Sequence, residues 1–572
     1  MVRGKFRAGS RSKAEGGLAG LEITRVGSRR LNLHTPWRGQ LPDLGLVVLI
    51  SALPLVALRP LQNAPFIDDW AYAWSVEHLL RTGELKILDW AVSQNVAQVL
   101  WGALFCAPFG FSFTALRLST WVASLGGLLG LHTLLREMGV SRADTLVGVA
   151  LVAFYPVYFI LSFSFMTDVP FVALVTWFFA ALVRALKRHS SRALAAAVVF
   201  ACLAVTIRPV GVFLSGVLLL APWPSSTRWS PTLRRLAVAA APVVVLVLLI
   251  LARPVLTAHR ADLTWIHGSW AWRMETFKLG LGLADLPAWL AMNLTLVIGT
   301  LGGALAPLAL GSLSRENVRR ALPGGLLAAA LLSGELFLRK GVGGPLDPEF
   351  TWSLRELGAT EALVPPLTTA PDRSLGWALA AMFVATLLLA MTLAPLWRKR
   401  PPGEARSLAW GALGYFALST VLWLFYDRYV LPLVVIVAAL RLGTAGIPRL
   451  RLALVGVAMV ATVSGVGTWD HLQYSHALWD AVAWARQAGI EERQLDGGYV
   501  VNGWLQYAHP EHATRGPNGD VQVPSVNAGE ALRYGVVNRV PPAARVLHAV
   551  TYRRIIAPSG SIYVIDQMPG PS

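Results

Sequence analysis

The sequence predicts an all-α polytopic membrane protein of about thirteen transmembrane helices, with a small α/β domain at its C-terminal end outside the membrane. Three observations predict it. Hydrophobic residues make up 55% of the 572 residues and charged residues only 14%, too few charges to cover a soluble domain. The apolar residues fall in blocks of about 15 to 25, the length a helix needs to cross a hydrocarbon core of roughly 30 Å. The blocks are rich in Leu, Ala and Val and lack period-two alternation, which excludes a transmembrane barrel.

A net charge of +18 would point to nucleic acid in a soluble chain. Here the basic residues sit in short loops between apolar blocks, as they do on the cytoplasmic side of membrane proteins. No nucleic-acid partner is expected. Cys106 and Cys202 lie in apolar surroundings, so neither a disulfide framework nor a cysteine metal site is expected.

Residues 1–42 are polar and basic before the first apolar run, which reads as a cytoplasmic tail and not as a cleaved signal peptide. The first span is 43–58. The first outer loop, 59–113, reverses the charge bias, with Asp68, Asp69, Glu77, Glu84 and Asp89 against Arg59, Arg81 and Lys86. Its apolar run 96–111 is short, and a second run follows at once. If both spanned, every later basic loop would fall outside, so charge assigns 96–111 to an interfacial helix. The same reasoning splits 193–221 at Arg208-Pro209, because one long span would bury Arg208 in mid-membrane.

Further spans are expected near 114–135, 145–164, 169–186, 193–207, 209–222, 236–257, 286–310, 321–338, 374–396, 407–425, 429–446 and 452–468, so the membrane domain covers 43–469. After Trp469 the composition changes, and by parity residues 470–572 form a domain on the outer side. A helix-like stretch, His476 to Ala488, precedes turn-forming Gly489, and Gly498–Val501 and Ser561–Asp566 read as strands.

This topology gathers three unusual groups on the outer face. They are Phe66-Ile67-Asp68-Asp69-Trp70-Ala71-Tyr72, the stretch Ser162 to Pro170 with Thr167-Asp168, and two span-end arginines in Arg208-Pro209 and Tyr426-Asp427-Arg428-Tyr429. Carboxylates and guanidinium groups beside hydrocarbon are costly and usually pair or bind a charged ligand. Each also has a plainer reading. Asp68 and Asp69 suit a solvated loop, and Asp168 suits a cap on the helix that starts at Val169-Pro170. Arg208 suits a hairpin apex, and Arg428 suits a partner for Asp427.

An acidic pair of the form Asp-(Asp/Glu)-x-x-Tyr in the first outer loop, followed by a membrane-lying segment and a second outer loop ending Thr-Asp-x-Pro, resembles the GT-C glycosyltransferases. The nearest branch is that of the protein O-mannosyltransferases and the lipid A aminoarabinose transferase, and Asp427-Arg428-Tyr429 is similar to a motif of its bacterial members. The resemblance covers about 43–470 by span pattern. It implies sugar transfer from a polyprenyl-phosphate donor to a lipid, glycan or protein acceptor on the outer face of the cytoplasmic membrane. The family commonly has Asp-Glu where this chain has Asp68-Asp69.

Such a donor carries a good leaving group, so the chemistry needs one base for the acceptor proton and cations to receive the phosphate charge. Asp68 is the expected base, with inversion at the anomeric carbon. Asp69 and Asp168 are expected to orient the acceptor or to hold a divalent cation, which two or three carboxylates suit. Arg208 and Arg428 are the candidate phosphate ligands, helped by the positive end of a helix starting at Pro209. Tyr72 and Tyr429 are candidates for positioning sugar or acceptor, and no organic cofactor is expected. The reading from a different class is a transporter or flippase of a lipid-linked saccharide. That would call for ionisable residues in mid-span and internal repeats. No repeat is visible, and the acids cluster at one face, with Glu335 in the expected span 321–338 the main exception.

Overall fold

The computed structural model describes residues 41–91, 93–222, 231–258, 281–338, 371–397, 401–420, 427–512, 514–515, 521–522, 532–555 and 558–567. It is a helical membrane fold with a small sheet at its C-terminal end. The first helix, α1 (Leu41–Leu58), is followed by α2 (Asp69–Thr82) and α3 (Val96–Cys106) in the outer loop, then by α4 (Phe113–Glu137). At 11 residues, α3 rises only about 16 Å and cannot cross a bilayer. Its exposed face carries Leu100 and Leu104, and Phe109 beyond its end is 90% exposed. That apolar face is what a helix lying in the interface presents to lipid.

The expected span 145–164 is two pieces, α5 (Arg142–Phe154) and α6 (Pro156–Leu161). Tyr155 between them leaves the helical region ahead of Pro156, because a residue before proline is crowded out of it. Next come α7 (Asp168–Arg188), α8 (Ser191–Ile207), the short α9 (Phe213–Leu220) and α10 (Pro231–Leu256). The helices α11 (Leu281–Ala304), α12 (Ala306–Gly311), α13 (Arg315–Leu338), α14 (Pro371–Leu393), α15 (Ala405–Thr420) and α16 (Leu431–Thr444) complete the bundle before α17 (Leu450–Gln487). Among the described residues five helices are long and apolar enough to cross a membrane alone: Leu41–Leu58, Phe113–Glu137, Asp168–Arg188, Thr232–Leu256 and Leu450–Gln487. The expected spans 193–207 and 209–222 appear as the shorter apolar helices Ser191–Ile207 and Pro209–Leu220, and 145–164 is broken at Pro156.

The two ends of the bundle differ in chemistry. At one end Asp43, near the start of α1, pairs with Arg142, and Glu137 pairs with Arg184 at 2.8 Å and Arg188 at 3.0 Å. The basic loops 136–144 and 184–192 therefore share an end. The groups singled out for the outer face gather at the opposite end.

The helix α17 has 38 residues and runs unbroken past Trp469, where the composition changes. Its second half becomes the backbone of the C-terminal domain. There Leu478, Ala481, Val482 and Ala485 pack with Leu495, Val501, Leu505, Val536, Ile562 and Val564. The strands β1 (Leu495–Asp496), β2 (Tyr534–Val537), β4 (Gly560–Asp566) and β3 (Arg545–Tyr552) form a sheet in that spatial order. The first pair is parallel and the others antiparallel, with an irregularity between Val546 and His548. Gly498–Val501, expected as a strand, is instead most of the short helix α18 (Gly498–Asn502). Local polar chemistry overrides its strand-like composition. Asn502 accepts from the Gly497 N–H at 2.9 Å, and Asp496 accepts from the Gly498 N–H at 3.0 Å.

Candidate functional site

The acidic motif sits on a strained turn. Ile67 has φ +59°, the left-handed region where a β-branched side chain is rarely found and where strain often marks a functional site. The turn sends two neighbouring carboxylates to different places. Asp68 precedes α2 without capping it. Its Oδ2 accepts from the Arg428 guanidinium at 3.2 Å, and its Oδ1 is buried with no hydrogen-bond partner.

Asp69 is fully buried and has both oxygens engaged by main chain. Oδ1 accepts from the Phe66 N–H at 2.6 Å and Oδ2 from the Phe165 N–H at 3.3 Å. It thereby ties the first outer loop to the second. Burial pushes its carboxyl up to about 7, opposed by the Arg117 guanidinium and then by those two N–H donors. Arg117 is itself buried and donates to the carbonyls of Pro60 at 2.9 Å and Ala64 at 2.6 Å.

Asp168 is the first residue of α7, and no side-chain cap forms there. The capping reading gives way to an ion pair, in which Asp168 Oδ1 lies 2.8 Å from Arg208 Nη2. A cap needs the carboxylate turned back onto its own helix, and a guanidinium next to a buried carboxylate outweighs a backbone N–H. Thr167 helps, because its hydroxyl accepts from Arg208 Nε at 2.9 Å. Arg208 is extended, at φ −138° and ψ 125°, as suits a residue before proline. Pro209 to Val212 then form a 3₁₀ turn and not the start of a long helix. That turn runs directly into α9, so the helical stretch Pro209–Leu220 begins next to Arg208, as expected.

Tyr429 lies between the two arginines. The Arg208 guanidinium is 5.1 Å and that of Arg428 is 5.8 Å from its ring centroid, within cation–π range. The Tyr415 hydroxyl holds this turn by donating to the Tyr429 carbonyl at 2.8 Å. Asp427 serves the backbone, accepting from the Arg428 N–H at 2.7 Å, while the Arg428 guanidinium reaches Asp68. Tyr72, one turn along α2, is pushed up to about 12 chiefly by burial, with Arg428 and Arg208 opposing and Asp68 adding to it. It shares the field of both ion pairs.

Asp68, Asp168, Arg208, Arg428, Tyr72 and Tyr429 thus meet at one end of the bundle. Asp69 lies beneath them as a bracket. The two carboxylates expected to share a divalent cation point at different partners, Asp69 at backbone N–H groups and Asp168 at a guanidinium. Among the described residues no three His, Cys, Asp or Glu side chains are grouped to hold a metal ion. Tyr426 of the third motif lies outside the described residues.

Sequence reasoning missed Arg117, Thr167 and Tyr415 as site residues. Arg117 had a signal, since an arginine inside an apolar span demands a partner. Thr167 stood in the Thr-Asp-x-Pro motif without a role of its own. Tyr415 had none, because an isolated tyrosine in an apolar helix looks like core.

The motif resemblance is borne out over one segment. Residues 99–257 match the family of dolichyl-phosphate-mannose-protein mannosyltransferases. The segment holds Asp168 and Arg208, and Asp68 and Arg428 lie outside it. Two solved structures resemble the chain. The apo crystal structure of ArnT from Cupriavidus metallidurans has 16% identity and a TM-score of 0.40, covering 93% of this chain and all of that one. The same protein bound to undecaprenyl phosphate has 14% identity and a TM-score of 0.39, with 94% and 100% covered. No curated protein matches the chain.

Proposed function

We propose that the protein is a membrane glycosyltransferase that moves a sugar, with inversion, from a polyprenyl-phosphate donor to an acceptor on the outer face of the cytoplasmic membrane. One observation carries the reading: two carboxylate–arginine pairs, Asp68–Arg428 and Asp168–Arg208, converge on Tyr429 at one end of the helix bundle. Arginines held next to hydrocarbon suit an anionic headgroup whose tail stays in lipid. The family match over residues 99–257 supports the same chemistry.

The acceptor oxygen attacks the anomeric carbon as the bond to the phosphate oxygen breaks. Asp68 takes the acceptor proton, and Arg208 and Arg428 receive the charge of the departing phosphate. Arg428 pairs with Asp68. A phosphate that draws Arg428 to itself releases Asp68 Oδ2 to act as base. Asp69, committed to two backbone donors, orients the loops and takes no part in proton transfer. Tyr72 and Tyr429 position the sugar or the acceptor.

Transfer from labelled polyprenyl-phosphate sugars, measured with donor affinity in the same purified variants, tests this. Asp68→Asn keeps the shape but cannot take a proton, so transfer falls by about 10² to 10⁴ while donor binding survives. Arg428→Ala weakens donor binding by roughly 1.5–3 kcal/mol. Near-normal transfer by Asp68→Asn removes it as base. If donor binds but wild type transfers nothing, the lipid-linked saccharide is cargo and the protein a transporter.

A further inference from the structure

Trp70 stands two residues after Asp68 and is completely buried, although it belongs to an outer loop. Its surroundings come largely from the C-terminal domain. Tyr507 and Tyr499 lie edge-on to it at 5.8 and 6.1 Å, and Trp90 of the same outer loop is tilted against it at 5.7 Å. The contact is latched by hydrogen bonds that cross between loop and domain. The Tyr507 hydroxyl donates to Asp89 at 2.8 Å, and Trp90 Nε1 donates to the Tyr499 hydroxyl at 2.8 Å. The floor of this socket is Gly503. A Cβ built there would lie 2.3 Å from Trp70 Cε2 and 2.5 Å from Cζ2.

Gly503 has φ −56°, a conformation open to any residue, so backbone freedom does not explain the glycine. Close approach does. Gly503 also opens a π-helical turn, Gly503–Ala508, a rare form often found at functional positions. Trp70 has no room to yield, with aromatic rings on several sides and no exposure.

We propose that the C-terminal domain is a positioning element of the acidic loop, and that the bare backbone of Gly503 is the socket that sets the first turn of α2 through Trp70. Asp68, on the strained turn at Ile67, takes its place from this contact. Trp70 and Gly503 are positioning residues that act through Asp68. The inference rests on the proposed role of Asp68 for its kinetic part only.

The decisive test is rescue. Gly503→Ala pushes Trp70 away, and Gly503→Ala combined with Trp70→Phe restores the space with a smaller ring. In Gly503→Ala, kcat falls by up to about a hundredfold, the effect of a misplacement near 1 Å. Donor affinity stays within about twofold, because Arg208 is held by Thr167 and Asp168. The double variant recovers most of kcat, whereas two independent structural lesions would add.

A second readout does not depend on transfer. Asp68→Cys, placed in each background, reports its environment through its rate of reaction with a maleimide. That rate shifts several-fold with Gly503→Ala and returns with Trp70→Phe. If the double variant is no better than Gly503→Ala in either readout, the socket idea is overturned. Should Gly503→Ala alone not fold, recovery of folding in the double variant supports the socket, and failure to recover overturns it. A reactivity shift with rescue in a protein that transfers no sugar keeps the socket and removes only the enzyme reading.

Discussion

Replacing Asp168 by Asn separates stability from donor binding, and the two should move in opposite directions. The Asp168 side chain is 1% exposed and that of Arg208 12%, with 2.8 Å between the charged atoms. Removing one partner of a buried ion pair leaves the other charge uncompensated, at a cost of about 3–5 kcal/mol. Arg208 keeps its bond to Thr167 and its place over Tyr429, which puts the cost near the lower limit, about 3 kcal/mol. Donor phosphate meets the reverse situation. In the variant it no longer competes with a carboxylate for Arg208, and it supplies the anion that the arginine has lost. Affinity should therefore rise on the order of tenfold. The assay is thermal unfolding in detergent with and without undecaprenyl phosphate, alongside direct titration of the lipid. The variant melts lower without lipid, and added lipid raises its melting point more than it raises that of wild type. If stability and affinity fall together, Asp168 orients Arg208 for the phosphate and is not its placeholder.

Two further outcomes follow from the same geometry. Because burial raises Asp69 from 3.8 to about 7, its neutral form belongs to the fold. Its contribution is full below the unfolded value near 4 and is lost as pH rises toward 7, by roughly 4 kcal/mol at most. Asp69→Asn should flatten the fall in stability between those limits, and an unchanged slope would show that the group is ionised throughout. Topology can be read from cysteines at Glu84 and Ser141, both exposed. An impermeant thiol reagent on intact cells should label Glu84→Cys and spare Ser141→Cys, and the reverse pattern would invert the bundle.

The placement of loops was legible because it rests on local composition. Basic residues mark one side of the bilayer wherever they occur, so alternation alone grouped 136–144 with 184–192 and set Asp68, Asp168, Arg208 and Arg428 apart from them. Pairing within that group was not legible. Arg428 neighbours Asp427 in the chain, yet its guanidinium reaches Asp68, 360 positions away. The fates of Asp68 and Asp69 were hidden for a different reason. They are adjacent and chemically alike, and the turn at Ile67 that separates them is a conformation that an isoleucine does not advertise. The helix boundary at 469 was missed because hydropathy reports the solvent around a helix and not its continuity. Once it leaves the bilayer, α17 keeps its backbone hydrogen bonds and changes only its side chains.

The pairing of these side chains also follows from where the site lies. An unpaired guanidinium at the edge of hydrocarbon would be expensive to hold. Two arginines are instead paired with carboxylates, Arg428 with Asp68 and Arg208 with Asp168, and the deeper Arg117 donates to the carbonyls of Pro60 and Ala64. Of Asp68, Asp69 and Asp168 only Asp69 is fixed by two backbone donors, which suits a bracket. Asp68 and Asp168 are held at their side chains chiefly by the arginines, and Asp68 keeps one oxygen without a partner. A ligand anion can therefore displace them without breaking the backbone of the site. In the proposed reaction, the exchange that seats the phosphate would also free Asp68 as the base beside it.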